Sequence, residues 1–381
     1  MTSALGPVRI LDFSRVLAGP LATMVLADLG ADVIKVERPG AGDDTRGWKP
    51  PVDDRGRSTY FESVNRNKRS IALDLRDPAD IAYARELAAG CDVVVENFRP
   101  GVMDRLGLGY DDLSPENAGL IYTSITGFGD REGAALPGYD LLVQAVGGLM
   151  SITGEADGEP QKVGVALVDV IAGLFSAIGI LAAIQRRQTT GTGQKVEVNL
   201  LSSLLAGLVN QASAFTVGGS IPGRMGNAHP SIAPYELFPC KGGDLVLAVG
   251  TDGQFRALCE ILPDGETLAA EPRFATNADR VANRDALRAE LIERLGEREP
   301  AAWVSELSAR GVPAGIVNDV AGAFGFAESL GLDPVVEVSD EDGSPVRLTR
   351  NPIGLSESPA AYRTAPPRLP EHDPDARPAW N

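Results

Sequence analysis

Apolar, β-branched runs alternate with helical patterns along the first 200 residues of the chain. The runs typical of strands cover residues 8–13, 31–37, 69–75, 91–97 and 119–125. The segment GPLATMVLADLG, between the first two runs, is typical of a short helix, with Gly19-Pro20 at its start and Gly30 at its end. This alternation predicts an α/β fold with a Rossmann-like large domain built on a parallel sheet.

The later patterns predict the domain organisation. Helices are predicted at about 168–188 and 200–216, with the short strand KVEV between them. Residues 217–234 are rich in Gly, Pro and Ser, as linkers are, and the hairpin runs YELFPC and DLVLAVG follow. We therefore expect a large domain over 1–216, a linker over 217–234, a smaller α+β domain over 235–330 and a C-terminal segment, 331–381, that returns to the large domain.

One apolar stretch, residues 163–184, carries a single ionisable side chain, Asp169. Its 22 residues are about the length of a bilayer-spanning helix. A central carboxylate, three glycines and the lack of a second such stretch or of flanking basic asymmetry favour a buried core or interface helix. An unpaired buried carboxylate is costly, so Asp169 is the first candidate for chemistry.

Composition narrows the class of protein. The net charge is −17 over 381 residues, which argues against nucleic acid as a partner, because phosphate binding needs a basic surface. The three cysteines are scattered and predict neither a disulfide framework nor a zinc cluster. No leader pattern stands at the first residues, and we predict a cytoplasmic protein without a membrane partner.

The residues alone leave two roles open for Asp169. Aspartate is a favoured N-cap, and a helix is predicted to begin near Val170. A desolvated carboxylate at the positive end of a helix is also suited to nucleophilic attack. No GxGxxG motif follows the first strand and no Walker A sequence occurs, so neither a dinucleotide nor an ATP site is predicted.

Several long motifs carry a family resemblance. They are LDFSRVLAGPLATMVLADLGADVIKVERPGAGDDTR, SVNRNKRSIALDL, CDVVVENFRPGVMDRLGLGYDDL, GYDLLVQAVGGLMSITG and VALVDVIAGLFSAIGILAAIQRRQTTGTGQKVEV. In colinear order over about residues 5 to 370, they resemble the class III coenzyme A transferases, and most closely the succinate/glutarate type. The resemblance implies an interlocked homodimer that uses acyl-CoA and small carboxylic acids as substrates and holds no permanent cofactor or metal.

The same resemblance implies roles for individual residues. Asp169 would be the nucleophile that forms an anhydride and then an aspartyl-CoA thioester. Gly253 and Gln254, in the loop after DLVLAVG, would serve the oxyanion formed during attack. The positions that match CoA-binding motifs are Leu17, Ala18, Arg38, Leu73, Asp74, Arg76, Asn97, Phe98, Arg99, Arg105, Tyr139 and Asp140.

Two other functions are weighed against the transferase. The α-methylacyl-CoA racemases carry a Gly-His-Asp motif where this chain has Gly138-Tyr139-Asp140, and tyrosine, with a pKa near ~10, is a poor base at neutral pH. A noncatalytic acyl-CoA-binding protein would not need Asp169. Leu17 stands where oxalate-type transferases have glutamine, and Arg15, Arg46 and Arg66 are candidates to bind the far carboxylate of a dicarboxylic acid.

Overall fold

The computed structural model describes residues 3–370, 372 and 380. These residues form two compact units. The larger unit is made of Met1–Leu149, Lys162–Ser220 and Asp333–Asn381, and the smaller unit of Met150–Gln161 and Ile221–Leu332. The chain therefore leaves the larger unit twice and returns to it twice. No sequence pattern predicted that Met150–Gln161 would belong to the smaller unit.

A six-stranded parallel sheet forms the centre of the larger unit. Its strands are β1 Arg9–Asp12, β2 Asp32–Glu37, β3 Lys68–Ala72, β4 Val93–Glu96, β5 Ile121–Thr126 and β6 Gln194–Asn199. The spatial order is β3-β2-β1-β4-β5-β6, and β1 pairs with both β2 and β4. This is the doubly wound order, in which ligands bind beyond the carboxyl ends of the strands where the winding reverses, here between β1 and β4. The predicted α/β fold with a parallel sheet is confirmed.

Helices cover both faces of this sheet. They are α1 Ala18–Asp28, α2 Thr59–Ser63, α3 Pro78–Ala89, α4 Val102–Arg105, α5 Tyr110–Leu113, α6 Asp140–Val146, α7 Leu149–Ile152, α8 Leu167–Thr190, α9 Leu200–Gly207 and α10 Val209–Thr216, with α7 crossing the boundary between the units. Side chains of β1 alternate between two cores: Ile10 packs with α1 and α8, and Leu11 with α3. The central strands are apolar on both faces because both faces are buried.

The helix α8 is long and apolar enough to cross a membrane by length and composition. It instead packs on the sheet, with Ala172 and Ile180 fully buried. A Cβ on Gly173 would lie 2.6 Å from the carbonyl oxygen of Ala18, so this glycine permits the close contact of α8 with α1. Gly191, in the left-handed conformation at φ 72°, ends the helix.

Two helix predictions need correction. The helix expected to begin near Val170 begins at Leu167, so Asp169 lies within the first turn and the N-cap position belongs to Ala166. The helix expected over 200–216 is divided into α9 and α10. Val209 takes a left-handed φ of 42° at the junction, which interrupts the regular helix.

The smaller unit packs helices on a three-stranded antiparallel sheet. Its strands are β7 Tyr235–Cys240, β8 Gly243–Ala248 and β9 Ala314–Ile316. Its helices are α11 Asp252–Cys259, α12 Gly265–Ala269, α13 Asn277–Ala282, α14 Arg284–Leu295, α15 Pro300–Ala309 and α16 Val320–Ser329. The fully buried Phe238, Leu247 and Trp303 belong to its core. The predicted hairpin is present as β7 and β8, and a second hairpin, β10 Val335–Ser339 with β11 Pro345–Thr349, belongs to the larger unit.

Candidate active site

A pocket opens in the larger unit at the point where the winding of the sheet reverses. Its volume is about 200 Å³. It is lined by residues at or beyond the carboxyl ends of β1, β4 and β5, by residues 133–134 and 136–139, and by Asp44, Asp169 and Leu200. Parallel strands bring their carboxyl ends to one edge of the sheet, so three segments far apart in sequence meet here.

Asp169, the third residue of α8, reaches this pocket from the side of the helix. It is partly buried, and burial, followed by the charge of Asp140, raises the pKa of its carboxyl group to about 7. Tyr60 of α2 packs in the same apolar cluster as Ala166 and Val170, which flank Asp169 in sequence. Burial, followed by the charge of Asp169, raises the pKa of its phenol to about 12. The Asp169 carboxylate is thus more basic than an ordinary aspartate, because burial and the like charge of Asp140 both disfavour its ionised form.

Asp140 explains why the first turn of α8 needs no N-cap side chain. Its Oδ2 accepts hydrogen bonds from the backbone N–H of Val168 at 2.8 Å and of Asp169 at 3.3 Å. Its Oδ1 accepts from Nε2 of Gln144 at 2.5 Å, and Oε1 of the same glutamine accepts from Val163 N–H at 2.9 Å. The first residue of α6 therefore holds the first turn of α8.

The loop after β1 is held in an unusual conformation beside the pocket. Val16 has a φ of 71°, which a β-branched residue rarely adopts. Its N–H donates to both carboxylate oxygens of Asp43, at 3.3 and 3.2 Å. Backbone strain of this kind is characteristic of functional sites, where the surrounding structure maintains it.

A buried network of charges lies beneath this loop. Lys35 Nζ is 2.9 Å from Asp43 Oδ2 and donates to the carbonyl oxygen of Ser14 at 2.8 Å. Lys68 Nζ is 3.2 Å from Asp12 Oδ2. Burial alone would raise the pKa of Asp12, but Lys68 and Lys35 hold it below its usual range, whereas burial lowers the pKa of Lys68 to about 8. Paired charges in the core thus link the end of β1 to the start of β3, and β2 to the segment that follows it.

A second pocket, of about 240 Å³, lies next to the first and is more apolar. Arg15 and Phe98 line both pockets. The second pocket is also lined by five residues that were predicted to bind CoA or that adjoin such residues: Arg38, Leu73, Asp74, Leu75 and Arg76. Arg38 is 2.6 Å from Asp44 and Arg76 is 2.8 Å from Asp74, both in exposed pairs.

The remaining predicted residues are distributed more widely. Ala18, Asn97, Arg99 and Tyr139 line the first pocket. Leu17 is buried in a small apolar cluster that includes Met24 and Val64, and Arg105 is exposed in α4. In the smaller unit, Gly253 lies in the first turn of α11, and Gln254 Oε1 caps this helix by accepting from the N–H groups of Gly250 and Thr251. The role of Gly253 and Gln254 at an oxyanion stays a prediction.

Sequence reasoning missed Tyr60 and the glycine pair Gly127 and Gly138. A Cβ on Gly127 would lie 2.5 Å from Gly138 Cα, so two segments that line the pocket touch through bare backbone. The signal was a glycine two residues after a predicted strand, 119–125. Of the three arginines considered as partners of a dicarboxylate, only Arg15 lines the first pocket. Arg46 instead binds Glu37 through two hydrogen bonds of 2.7 Å. The buried Arg66 binds Asp28.

No histidine lines the first pocket in the part of the chain that the structure describes. His372 binds Asp80 of α3 at 2.7 Å. His229, in the smaller unit, accepts a hydrogen bond from Ser231 N–H at 3.1 Å. Within the larger unit, the lining of this pocket therefore lacks the base on which the racemase alternative depends.

Comparison with known proteins gives a consistent result. The family model described as CoA-transferase family III matches residues 5–373. A succinate–glutarate CoA-transferase of Agrobacterium fabrum is 41% identical over 97% of this chain and 93% of its own length. A succinyl-CoA:glutarate CoA-transferase of Mus musculus is 43% identical over 96% of this chain and 84% of its own. The crystal structure of a CAIB/BAIF family protein from Brucella suis superposes with a TM-score of 0.85 at 42% identity, covering 98% of both chains.

Proposed function

The chain belongs to CoA-transferase family III and is a CoA-transferase, and on this premise we propose that it moves CoA between dicarboxylic acids through Asp169. The observation that carries the proposal is the position of Asp169, whose partly buried, basic carboxylate lines a pocket at the reversal point of a doubly wound sheet. A pKa near 7 leaves a substantial anionic fraction at neutral pH and makes that anion a better nucleophile than an ordinary aspartate.

The proposed reaction proceeds by four acyl transfers. An Oδ of Asp169 attacks the thioester carbonyl of the donor, the C–S bond breaks, and CoA leaves as a thiolate, so a mixed anhydride remains. The thiolate attacks the Asp169 carbonyl of the anhydride, which releases the donor acid and forms an aspartyl-CoA thioester. The acceptor carboxylate and then the released thiolate repeat these two steps in reverse. The new acyl-CoA departs, the Asp169 carboxylate is restored, and no ATP is consumed.

The two adjacent pockets support a path for the CoA donor. The apolar pocket, with Leu73 and Phe98 in its lining, suits the adenine ring, and Arg38, Arg76 and Arg105 are the proposed partners of the phosphates. Arg15 and Phe98 line both pockets, so an elongated ligand can pass from one to the other towards Asp169. Asn97, Arg99 and Tyr139 would line its pantetheine end.

A dicarboxylate as acceptor is supported by the relatives and by Arg15. The relatives from Agrobacterium fabrum and Mus musculus are named for succinate and glutarate. Arg15 lines the pocket that holds Asp169, its contact with Asp44 is long at 3.3 Å, and its buried Nε has no hydrogen-bond partner among the described residues. The side chain of Arg15 is 31% exposed, so its guanidinium presents donors that a carboxylate in the pocket can reach. We assign the far carboxylate of the acceptor to Arg15.

Apolar side chains exposed on the larger unit support the proposed homodimer. Leu174, Phe175 and Ile178 lie exposed along α8, and Leu141 and Val146 along α6. Exposed apolar surface of this extent marks interaction sites. Ile178→Asp should convert a dimer, measured by analytical ultracentrifugation, into monomer; a wild-type monomer would contradict the assembly. A cytoplasmic location stays a prediction.

The test of the nucleophile is a covalent adduct. Purified protein is incubated with succinyl-CoA, quenched and digested, and the peptide that contains Asp169 is examined by mass spectrometry. We expect a mass increase that hydroxylamine converts into the Asp169 hydroxamate. It should be present in the wild type and in Asp319→Asn, a surface control, and absent in Asp169→Asn. An adduct that persists in Asp169→Asn, or wild-type protein that binds CoA but forms none, would contradict the proposal. The racemase alternative predicts instead exchange of the α-proton with solvent deuterium without any acceptor acid.

A further inference from the structure

The first turn of α8 has backbone donors that its own sequence cannot satisfy. The first N–H groups of a helix lack partners within the helix, and an N-cap side chain normally provides one. Ala166 stands at this N-cap and has no polar side chain. The carboxylate of Asp140, 29 residues away in sequence, accepts the N–H groups of Val168 and Asp169 instead.

Asp140 is itself held firmly. Nε2 of Gln144 donates to Asp140 Oδ1, and this glutamine is buried and also accepts the N–H of Val163. The fully buried Val143 ties α6 to the core on the same turn. Both carboxylate oxygens of Asp140 therefore accept hydrogen bonds within the protein. Oδ1 accepts from the side chain of Gln144 in α6, and Oδ2 accepts from the backbone of α8.

We propose that Asp140 is a positioning residue for Asp169: it fixes the first turn of α8 and thereby aims the Asp169 carboxylate into the pocket. This inference rests on the proposed function, since it concerns the nucleophile of that reaction. Asp140 therefore has a role different from the predicted contact with CoA, because its carboxylate accepts hydrogen bonds from groups of the protein itself.

The same placement puts two carboxylates of like charge near each other. Asp140 is the one charged group that contributes, after burial, to raising the pKa of Asp169 among the described residues. The other charged or titratable groups that line the pocket or interact with Asp169 are Arg15, Asp44, Arg99, Tyr139 and Tyr60. Removal of the Asp140 charge should therefore favour the Asp169 anion and lower the pKa of that carboxyl group.

Two variants separate position from charge. Asp140→Asn keeps one oxygen that can accept the Val168 N–H, but it removes the charge and the acceptor for Gln144 Nε2. Asp140→Ala removes both acceptors and the charge. The matched control is Asp319→Ala, which deletes an exposed aspartate that caps α16 by accepting Gly322 N–H at 2.7 Å in the smaller unit. Single-turnover formation of the Asp169 adduct from succinyl-CoA is measured by rapid quench between pH 5 and pH 9, with CoA affinity measured by calorimetry.

We expect Asp140→Ala to slow adduct formation about 10- to 100-fold at saturating succinyl-CoA, because small misplacement of a reacting group costs this much. The affinity of Asp140→Ala for CoA should stay within about threefold of the wild-type value, which corresponds to about 0.65 kcal/mol in the free energy of binding. Asp140→Asn should retain most of the rate, with the midpoint of the pH profile moved to lower pH. Asp319→Ala should change neither quantity.

Three results would overturn the inference: an unchanged rate and midpoint in both Asp140 variants, a loss of CoA affinity with an unchanged rate, or an unchanged midpoint in Asp140→Asn. If Asp140→Ala fails to fold, as judged by circular dichroism, Asp140→Asn still decides through its midpoint. Failure of the proposed function is separate, because it would appear as wild-type protein that forms no adduct.

Discussion

Arg15 and Asn97 exchange two hydrogen bonds across the reversal point of the sheet. The backbone N–H of Arg15 donates to Asn97 Oδ1 at 2.9 Å, and Asn97 Nδ2 donates to the carbonyl oxygen of Arg15 at 2.7 Å. One side-chain amide therefore acts as a neighbouring strand would, and joins the loop after β1 to the loop after β4. The rim of the pocket is set by this pair, since both residues line it.

Deletion of this amide should affect catalysis as well as stability. Asn97→Ala removes both bonds and leaves a backbone N–H and a carbonyl without their partners, at a cost of about 1–3 kcal/mol in the free energy of unfolding. Because the loop that carries Arg15 is then released, kcat should also fall by at least about tenfold. Urea denaturation and steady-state kinetics measure the two effects.

Asn117→Ala is the matched control, because Asn117 Nδ2 also donates to a backbone carbonyl, that of Cys91 at 2.8 Å, but the residue lies outside the pocket. It should lose stability and retain kcat. Equal losses of kcat in the two variants would contradict a specific role for the pair.

The basic carboxylate of Asp169 should make stability depend on pH. Its pKa is about 7 in the folded protein, against about 3.9 in an unfolded chain. Between these values the folded state binds more protons, so this group stabilises the fold fully below about pH 4 and its contribution is lost as pH rises through 7. Asp169→Asn cannot titrate and should gain stability relative to wild type as pH rises from 5 to 8. Urea midpoints across this range measure the difference, and a constant difference would contradict the raised pKa.

The sheet and the main candidate residue could be predicted from sequence because their signals are local. Period-two and continuous apolar runs marked the strands, and Asp169 stood out as one charge in an apolar segment. The role of Asp140 in the first turn of α8 had no local signal, because it depends on contacts over 28 and 29 residues. The left-handed Val16 was equally hidden, since the carboxylate that holds its N–H belongs to Asp43, 27 residues away in sequence.

Charge alone could not tell which arginines are available for a substrate. Arg46, Arg66 and Arg15 are alike in sequence, but the first two are engaged by the buried carboxylates of Glu37 and Asp28. Burial creates these pairings, and burial is a property of the fold. Which acid partners which arginine therefore emerged only with the structure.

Arg76 offers a direct test of the proposed phosphate contacts. It is 90% exposed and pairs only with Asp74 at the surface among the described contacts, and such a pair costs little to exchange for a phosphate. Arg76→Ala should weaken CoA binding by about tenfold, or about 1.4 kcal/mol, and should reduce the dependence of affinity on salt. Calorimetry with CoA and with 3′-dephospho-CoA completes a double-mutant cycle. Equal losses for both ligands would exclude the 3′-phosphate as the partner of Arg76, and no loss for either would exclude the contact.

Arg15 should decide between acceptors of different charge. If its guanidinium binds the far carboxylate of a dicarboxylic acid, Arg15→Gln should lower kcat/KM for glutarate by about 10- to 100-fold, since hydrogen bonds between charged groups contribute about 1.5–3 kcal/mol. For butyrate, which lacks the second carboxylate, kcat/KM should stay within about threefold of the wild-type value, because this acceptor has no far carboxylate for Arg15 to bind. Arg186→Gln, at the exposed end of α8, is the control and should alter neither acceptor. A loss of the same size for glutarate and butyrate would mean that Arg15 supports the loop or the CoA donor, and would remove the basis for assigning the far carboxylate to it.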